Sequence, residues 1–123
     1  MTNGKINKYD LEERTAKLGE QIIKFTNDMP KSPVTLPLIT QLVKSGTNVG
    51  ANYCEADDAE SRKDFKHKIG ICKKEARETK HWLRMIIIAV PSCKNEAMKL
   101  WQEAKELNLI FNAITNSLKR NSE

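Results

Sequence analysis

Apolar residues recur at steps of three and four along four long stretches of the chain, which is the period of an amphipathic α-helix. The stretches cover residues of about 11–29, 36–56, 61–90 and 95–119. The connections between them are short, so successive helices should lie antiparallel beside one another. The pattern predicts an all-α fold, an up-and-down antiparallel four-helix bundle that forms a single domain over residues 1–123.

Capping signatures mark the starts of three of these helices. Asp10 with Glu13 should cap the first helix, and Ser61 with Asp64 the third, because each pair has the spacing of a capping box. Thr35 is expected to cap the second helix. Prolines follow the first and third stretches and should end those helices.

The second predicted helix has two regular faces. Opposite its apolar side, polar side chains recur at steps of four and three, at Gln41, Ser45, Asn48, Asn52 and Glu55. A plain solvent-facing side would be rich in Lys and Glu, since long charged side chains keep their heads in water. We therefore expect this polar stripe to lie in an interface between helices or between subunits.

Charged residues on the third helix are candidates for the same contact. Glu75 and Lys68 lie on the shoulder of its apolar arc, and Glu75 is expected to join the interface. Asn52 and Glu55 are natural partners for nearby lysines, because a partly buried amide or carboxylate needs hydrogen bonds. The lysines in reach are Lys68, Lys73 and Lys74. Pairing within the bundle and pairing between subunits both remain open.

Two glycines interrupt the apolar side of the second helix. Gly46 and Gly50 each cost about 1 kcal/mol against Ala in helix propensity. A close approach of a neighbouring helix backbone would offset that cost, and the alternative is a kink or a ligand slot at these positions.

Positive charge is concentrated in the second half of the chain. Residues 1–60 carry −2 and residues 61–123 carry +7, which together give the formal +5. Six cations fall within one narrow face of the third helix, called here the basic stripe: Arg62, Lys66, Lys73, Arg77, Lys80 and Arg84. Clustered cations suit phosphate backbones, so the stripe is a candidate contact for RNA or DNA. The alternative is an ordinary solvated helix face.

Aromatic residues are expected to anchor the core or an interface. None interleaves with the basic stripe along the third helix, so stacking of single-stranded bases is not expected. Trp82 and Trp101 sit at helical spacing within apolar patterns, which favours packing over ligand binding.

Catalytic and metal sites are not expected. Glu78-x-x-His81 and Asp64-x-x-His67 each imitate part of a di-iron site, but such a site needs motifs on two helices and carboxylates from the others. Both histidines should instead face solvent. We expect no catalytic residues, no metal and no cofactor, and therefore a protein that is not an enzyme.

The location is expected to be cytoplasmic. The three cysteines have no CxxC or zinc spacing and are interpreted as reduced thiols. The N-terminal segment lacks the apolar core of a signal peptide, and the longest apolar run, residues 85–90, is far short of the ~20 residues of a membrane span.

Two segments resemble a known family. The pattern QLxxS…N…ANxxE over residues 41–55 and the pattern KE…E…WL over residues 74–83 are similar to those of the 23S rRNA intervening-sequence proteins. One departure is Ala56, where the family usually has Gly, so the end of the second helix is expected to differ.

The resemblance implies a small bacterial four-helix bundle that assembles as a ring-shaped homopentamer. The accessory variability protein of diversity-generating retroelements is similar in fold, and the likeness implies basic character with nucleic-acid and reverse-transcriptase binding. Together with the charge pattern, this predicts a non-enzymatic, homo-oligomeric binding or scaffold protein that associates with RNA or DNA through the basic stripe. The alternative is a protein-binding adaptor with no nucleic-acid role.

Overall fold

The computed structural model of the chain describes residues 10–121, and the N-terminal segment that lacks a signal-peptide core lies largely outside them. Four α-helices follow one another: α1 (Leu11–Asn27), α2 (Thr35–Asp57), α3 (Arg62–Ala89) and α4 (Lys94–Asn121). A 3₁₀ turn, Pro91–Cys93, links α3 to α4. No strand occurs among the described residues, so the predicted all-α four-helix bundle is confirmed.

The predicted caps of α1 and α3 are confirmed. The Asp10 carboxylate accepts a hydrogen bond from the backbone N–H of Glu13 at 3.2 Å. The Ser61 hydroxyl accepts one from the backbone N–H of Asp64 at 3.0 Å. Each bond satisfies a donor that the first helical turn leaves without a partner.

The predicted cap of α2 is wrong. Thr35 already lies inside the helix, and Val34 before it has helical dihedral angles. The Ser32 hydroxyl accepts instead, from the backbone N–H groups of Val34 at 3.2 Å and Thr35 at 3.1 Å. The Thr35 hydroxyl donates back to Pro30 O at 2.6 Å. Helical conformation thus begins earlier than the apolar pattern indicated, because Pro33 has a φ suited to a first turn.

The end of α1 also differs from the sequence prediction. The helix stops at Asn27 rather than near Met29. The Lys31 ammonium donates to the carbonyls of Thr26 at 3.0 Å and Met29 at 2.7 Å. A lysine is well placed at a helix C-terminus, where the last carbonyls lack partners and carry partial negative charge.

The core lies between all four helices. Helix α2 packs against α1 and α3, α3 packs against α4, and α1 makes a smaller contact with α4. Each helix contributes fully buried side chains along one face; the largest include Leu18, Ile22, Leu42, Ile69, Leu83, Ile86, Leu107 and Phe111. Short links and sequential packing give the up-and-down arrangement that the sequence predicts.

The two glycines of α2 lie where α1 approaches. A Cβ on Gly50 would stand 3.3 Å from the backbone carbonyl of Thr15, and a Cβ on Gly46 would stand 2.3 Å from Ile22 Cδ1. The expected approach of a neighbouring helix backbone is confirmed at Gly50, whereas the space at Gly46 is taken by the Ile22 side chain. Close packing of α1 on α2 depends on both missing side chains, which compensates for the low helix propensity of glycine.

Candidate functional site

Helix α3 carries the basic stripe over most of its length. Arg62, Lys66, Arg77 and Arg84 are exposed, while Lys73 and Lys80 are half-buried. An α-helix returns to the same face every three to four residues, so the six cations form a row along one side of the bundle. Their assignment to nucleic acid stays a prediction.

Helix α4 holds one of the half-buried lysines in position. The Lys73 ammonium donates to Asn112 Oδ1 at 3.2 Å. The Asn108 side chain donates in turn to the Lys73 carbonyl at 2.8 Å. These bonds tie the middle of the stripe to α4, so that the two helices form one surface.

A second lysine of the stripe lies over an aromatic ring of α4. Lys80 Nζ is 5.6 Å from the ring centroid of Trp101, and Lys105 Nζ, one turn further along α4, is also 5.6 Å away. Both distances fall within the range of a cation–π contact. No aromatic residue interleaves with the stripe along α3, but the fold brings one to it from the adjacent helix α4.

Two acidic side chains of α4 form ion pairs with an arginine of α1. The Arg14 guanidinium donates to Glu103 through Nε at 3.0 Å and through a terminal nitrogen at 2.7 Å, and it also binds Glu106 at 3.0 Å. Hydrogen bonding to Glu103 is the main cause that raises the pKa of Arg14. This contact leaves no sign in the sequence, because the paired charges are 89 and 92 residues apart and form no local pattern.

The polar stripe of α2 divides between the interior and the surface. Ser45 is buried and faces α3, where the Thr79 hydroxyl donates to it at 3.1 Å. Gln41 is exposed, and Asn48 and Asn52 are half-buried. Asn52 donates to the backbone carbonyl of Asn48 at 2.8 Å. Contact with a second subunit remains a prediction for the outer members.

Glu55, the last member of the polar stripe, pairs inside the chain. Its carboxylate accepts from Lys68 at 2.6 Å, and this hydrogen bond raises the pKa of Lys68. Of the pairings left open by the sequence, the structure contains this one between α2 and α3. Lys73, by contrast, binds Asn112 of α4.

Glu75 is half-buried on α3 beside the polar stripe. Burial raises its pKa above the ordinary value of 4.5, and repulsion from Glu78 adds to this, while Lys74 and Lys44 oppose it. The carboxylate is thus more easily protonated in the folded chain than in water.

The two histidines are exposed on α3, as the sequence indicated. His81 packs edge-on against Trp82, with ring centroids 4.8 Å apart. The Trp82 indole N–H is buried, and no described residue accepts a hydrogen bond from it. Within residues 10–121, no three His, Cys, Asp or Glu side chains are arranged to hold a metal ion.

The three cysteines are free thiols in different surroundings. Cys54 is exposed, Cys93 is half-buried and Cys72 is buried. Desolvation raises the pKa of Cys72 to about 12. A thiol of this kind stays protonated near neutral pH and is a poor nucleophile.

The chain matches the family model of the 23S rRNA-intervening sequence proteins over residues 7–113. It belongs to that family. The match covers both segments on which the resemblance rested, and it extends from before α1 into α4. No curated protein matches the chain.

A solved structure is also similar to this 23S rRNA-intervening sequence protein. It is a protein of unknown function from the S23 ribosomal protein family of Bacteroides thetaiotaomicron. The two chains are 28% identical, the match covers 85% of this chain and 97% of that one, and the TM-score is 0.74. In the part of the chain described by the structure, no helix has both the length and the apolar character of a membrane span.

Proposed function

We propose that this family member is a non-enzymatic binding protein that assembles from several copies of itself and holds a polynucleotide through the basic stripe. One observation carries the proposal: the stripe's cations are not neutralised. Among residues 10–121, ion pairs involve Arg14 and Lys68, and none of the six stripe cations takes part in one. A row of cations that no carboxylate neutralises supplies the charge that a phosphate backbone binds.

Neighbouring features support this surface. A shallow depression of about 460 Å³ on α3 is lined by three lysines, Lys63, Lys66 and Lys74, together with His67. Glu103 and Glu106 of α4, whose negative charge would weaken anion binding, are bound to Arg14 on α1. The local potential therefore favours polyanions.

Assembly would multiply this charge. Five copies of a chain with a formal charge of +5 carry +25, which would attract polyanions more strongly than one copy. Gln41 on the exposed part of the polar stripe is the first candidate contact. Exposed apolar side chains support self-association too. Five lie towards the end of the bundle where α1 and α3 finish, Ile23, Val34, Leu36, Ile88 and Met98, and Leu109 lies towards the other end.

The alternative is a protein-binding adaptor with no nucleic-acid role. The same apolar end favours it, since Ile88 is 77% and Val34 63% exposed. Contiguous exposed apolar patches mark many protein-binding surfaces. In this reading the basic stripe serves solubility.

Charge reversal within the stripe separates the two functions. Arg77→Glu and Arg84→Glu alter exposed cations, and the matched controls Lys17→Glu and Lys24→Glu alter exposed cations of α1 by the same charge. Binding to fluorescent RNA and DNA is measured by anisotropy over a range of salt. The stripe variants should weaken binding more than the controls. Each lost phosphate contact should also make the plot of log binding constant against log salt concentration less steep, by about 0.7–0.9 in slope.

Three outcomes would contradict parts of the proposal. If all four variants weaken binding equally, net charge and not the stripe is responsible. If the parent protein does not bind at low salt, the adaptor function is favoured. Light scattering tests assembly separately, and a clean monomer would defeat the self-association.

A further inference from the structure

Trp101 is the aromatic residue that the fold brings to the basic stripe. It lies on α4, half-buried, and packs with one part of its indole against the core. Lys80 of α3 and Lys105 of α4 approach the ring, each with its ammonium 5.6 Å from the centroid. The packing limits rotation of the ring, and the two ammonium groups place positive charge beside it.

The surface around Trp101 has the composition of a single-strand binding site. Proteins that bind single strands combine a cationic track for the backbone with aromatic rings on which bases stack. Arg77 is exposed one turn before Lys80, and Lys73, a turn further back, is held by Asn112 of α4. The row of cations therefore passes beside the indole.

We infer that Trp101 is a base-stacking platform, and that the ligand of the basic stripe is a single-stranded polynucleotide. The inference rests on the proposed function and names the form of nucleic acid that it would hold. In a duplex the base faces are covered by their neighbours, so a duplex can use only the cations. RNA and DNA single strands share the unstacked base face that the ring would accept.

The lysines near the ring do not prevent stacking. A cation–π contact at an exposed ring is worth about a 2- to 5-fold change in an equilibrium constant. A base stacked on an aromatic side chain is worth about 5- to 150-fold in binding affinity. Lys105 is exposed and can swing away from the ring. Its ammonium then gains a phosphate of the strand as a partner. A base can therefore take the place of the Lys105 ammonium at the ring while the positive charge is retained in the site.

The first test compares one strand with and without its complement. A labelled RNA or DNA oligonucleotide of mixed sequence is titrated with the parent protein as a single strand and as a duplex. Trp101→Leu should lower single-strand affinity about 5-fold or more and leave duplex affinity unchanged, since only stacking is removed. Trp101→Phe keeps an aromatic plane and should lose less.

The second test follows the ring itself. The chain has two tryptophans, so the Trp82→Phe variant leaves Trp101 as the single indole emitter. Adding the single strand should quench its fluorescence, because a stacked base contacts the excited ring, and adding the duplex should not. Thermal melting followed by circular dichroism checks that each variant is folded, and Trp82→Phe also serves as the control substitution for affinity.

The outcomes separate this inference from the proposed function. If the parent binds both forms in a salt-dependent way and Trp101→Leu changes neither, stacking is wrong and the cationic contact stands. Equal weakening of both forms also overturns stacking, since it assigns Trp101 a role in the fold. If the parent binds neither form at low salt, both proposals fail.

Discussion

The hydroxyl groups of Thr79 and Ser45 meet in the interior of the bundle, where Thr79 Oγ1 donates to Ser45 Oγ at 3.1 Å. Neither residue is more than 2% exposed. Each hydroxyl also lies within hydrogen-bonding distance of a backbone carbonyl of its own helix. Thr79 Oγ1 is close to the carbonyl of Glu75, and Ser45 Oγ is close to the carbonyl of Leu42. The inner part of the polar stripe is thus a hydrogen-bonded contact between α2 and α3.

The hydroxyl contact predicts a coupled effect on stability. Ser45→Ala and Thr79→Val should each lower the free energy of unfolding by about 1 kcal/mol, because each leaves a buried polar group with one fewer partner. The double variant should lose less than the two single losses together, since it removes both groups. Urea denaturation measures all three. Thr40→Ala, at an exposed hydroxyl of the same helix, is the control, and strictly additive losses would contradict the coupling.

Two glycines should respond to alanine in opposite directions. Gly70→Ala in α3 adds a Cβ with no atom within 4 Å, so the gain in helix propensity should raise stability by about 1 kcal/mol. Gly46→Ala adds a Cβ 2.3 Å from Ile22 Cδ1, and Ile22 is fully buried. Overpacking of this kind costs about 1–3 kcal/mol and should outweigh the same gain. Equal stability of the two variants in urea denaturation would refute the close-approach argument.

The cysteines should differ strongly in reactivity. At pH 8 a disulfide reagent should modify exposed Cys54 first, while Cys72, which is fully buried and has a pKa of about 12, should react only on unfolding. The thiolate is the reactive form, so burial suppresses both access and ionisation. Mass spectrometry after timed labelling identifies the modified residue. Cys54→Ser should remove the fast phase, and rapid labelling of Cys72 in the folded protein would contradict the packing.

Glu75 should make stability depend on pH. Its pKa is raised in the folded chain, chiefly by burial, so its favourable contribution is present below about pH 4.5 and is lost as the pH rises through the folded pKa. Glu75→Gln should therefore be more stable than the parent at pH 7, and the difference should shrink on acidification. Thermal melting at pH 7 and at a pH below 4.5 measures this difference, with exposed Glu20→Gln as the control. Lower stability of the Glu75 variant at pH 7 would mean that a cation compensates for the carboxylate.

Local chemistry determined the helices. The period of apolar residues placed all four, and the caps at Asp10 and Ser61 depend on side chains three residues from the amides they bind. The capping residue of α2 was missed because Ser32 lies in the proline-containing link before the helix, outside the apolar pattern. Gly46 and Gly50 indicated a close approach, since glycine inside a helix is unfavourable without one.

Contacts between helices were decided only by the tertiary structure. The sequence contained all six stripe cations, but a single helical wheel could not place Trp101 beside Lys80, because 21 residues and a reversal of chain direction separate them. The same holds for Arg14 with Glu103 and for Thr79 with Ser45, which lie 89 and 34 residues apart. Periodicity shows which face of each helix is apolar. The rotation and register of packed helices depend on how all the side chains fit together, and this fit determines which polar and aromatic groups meet.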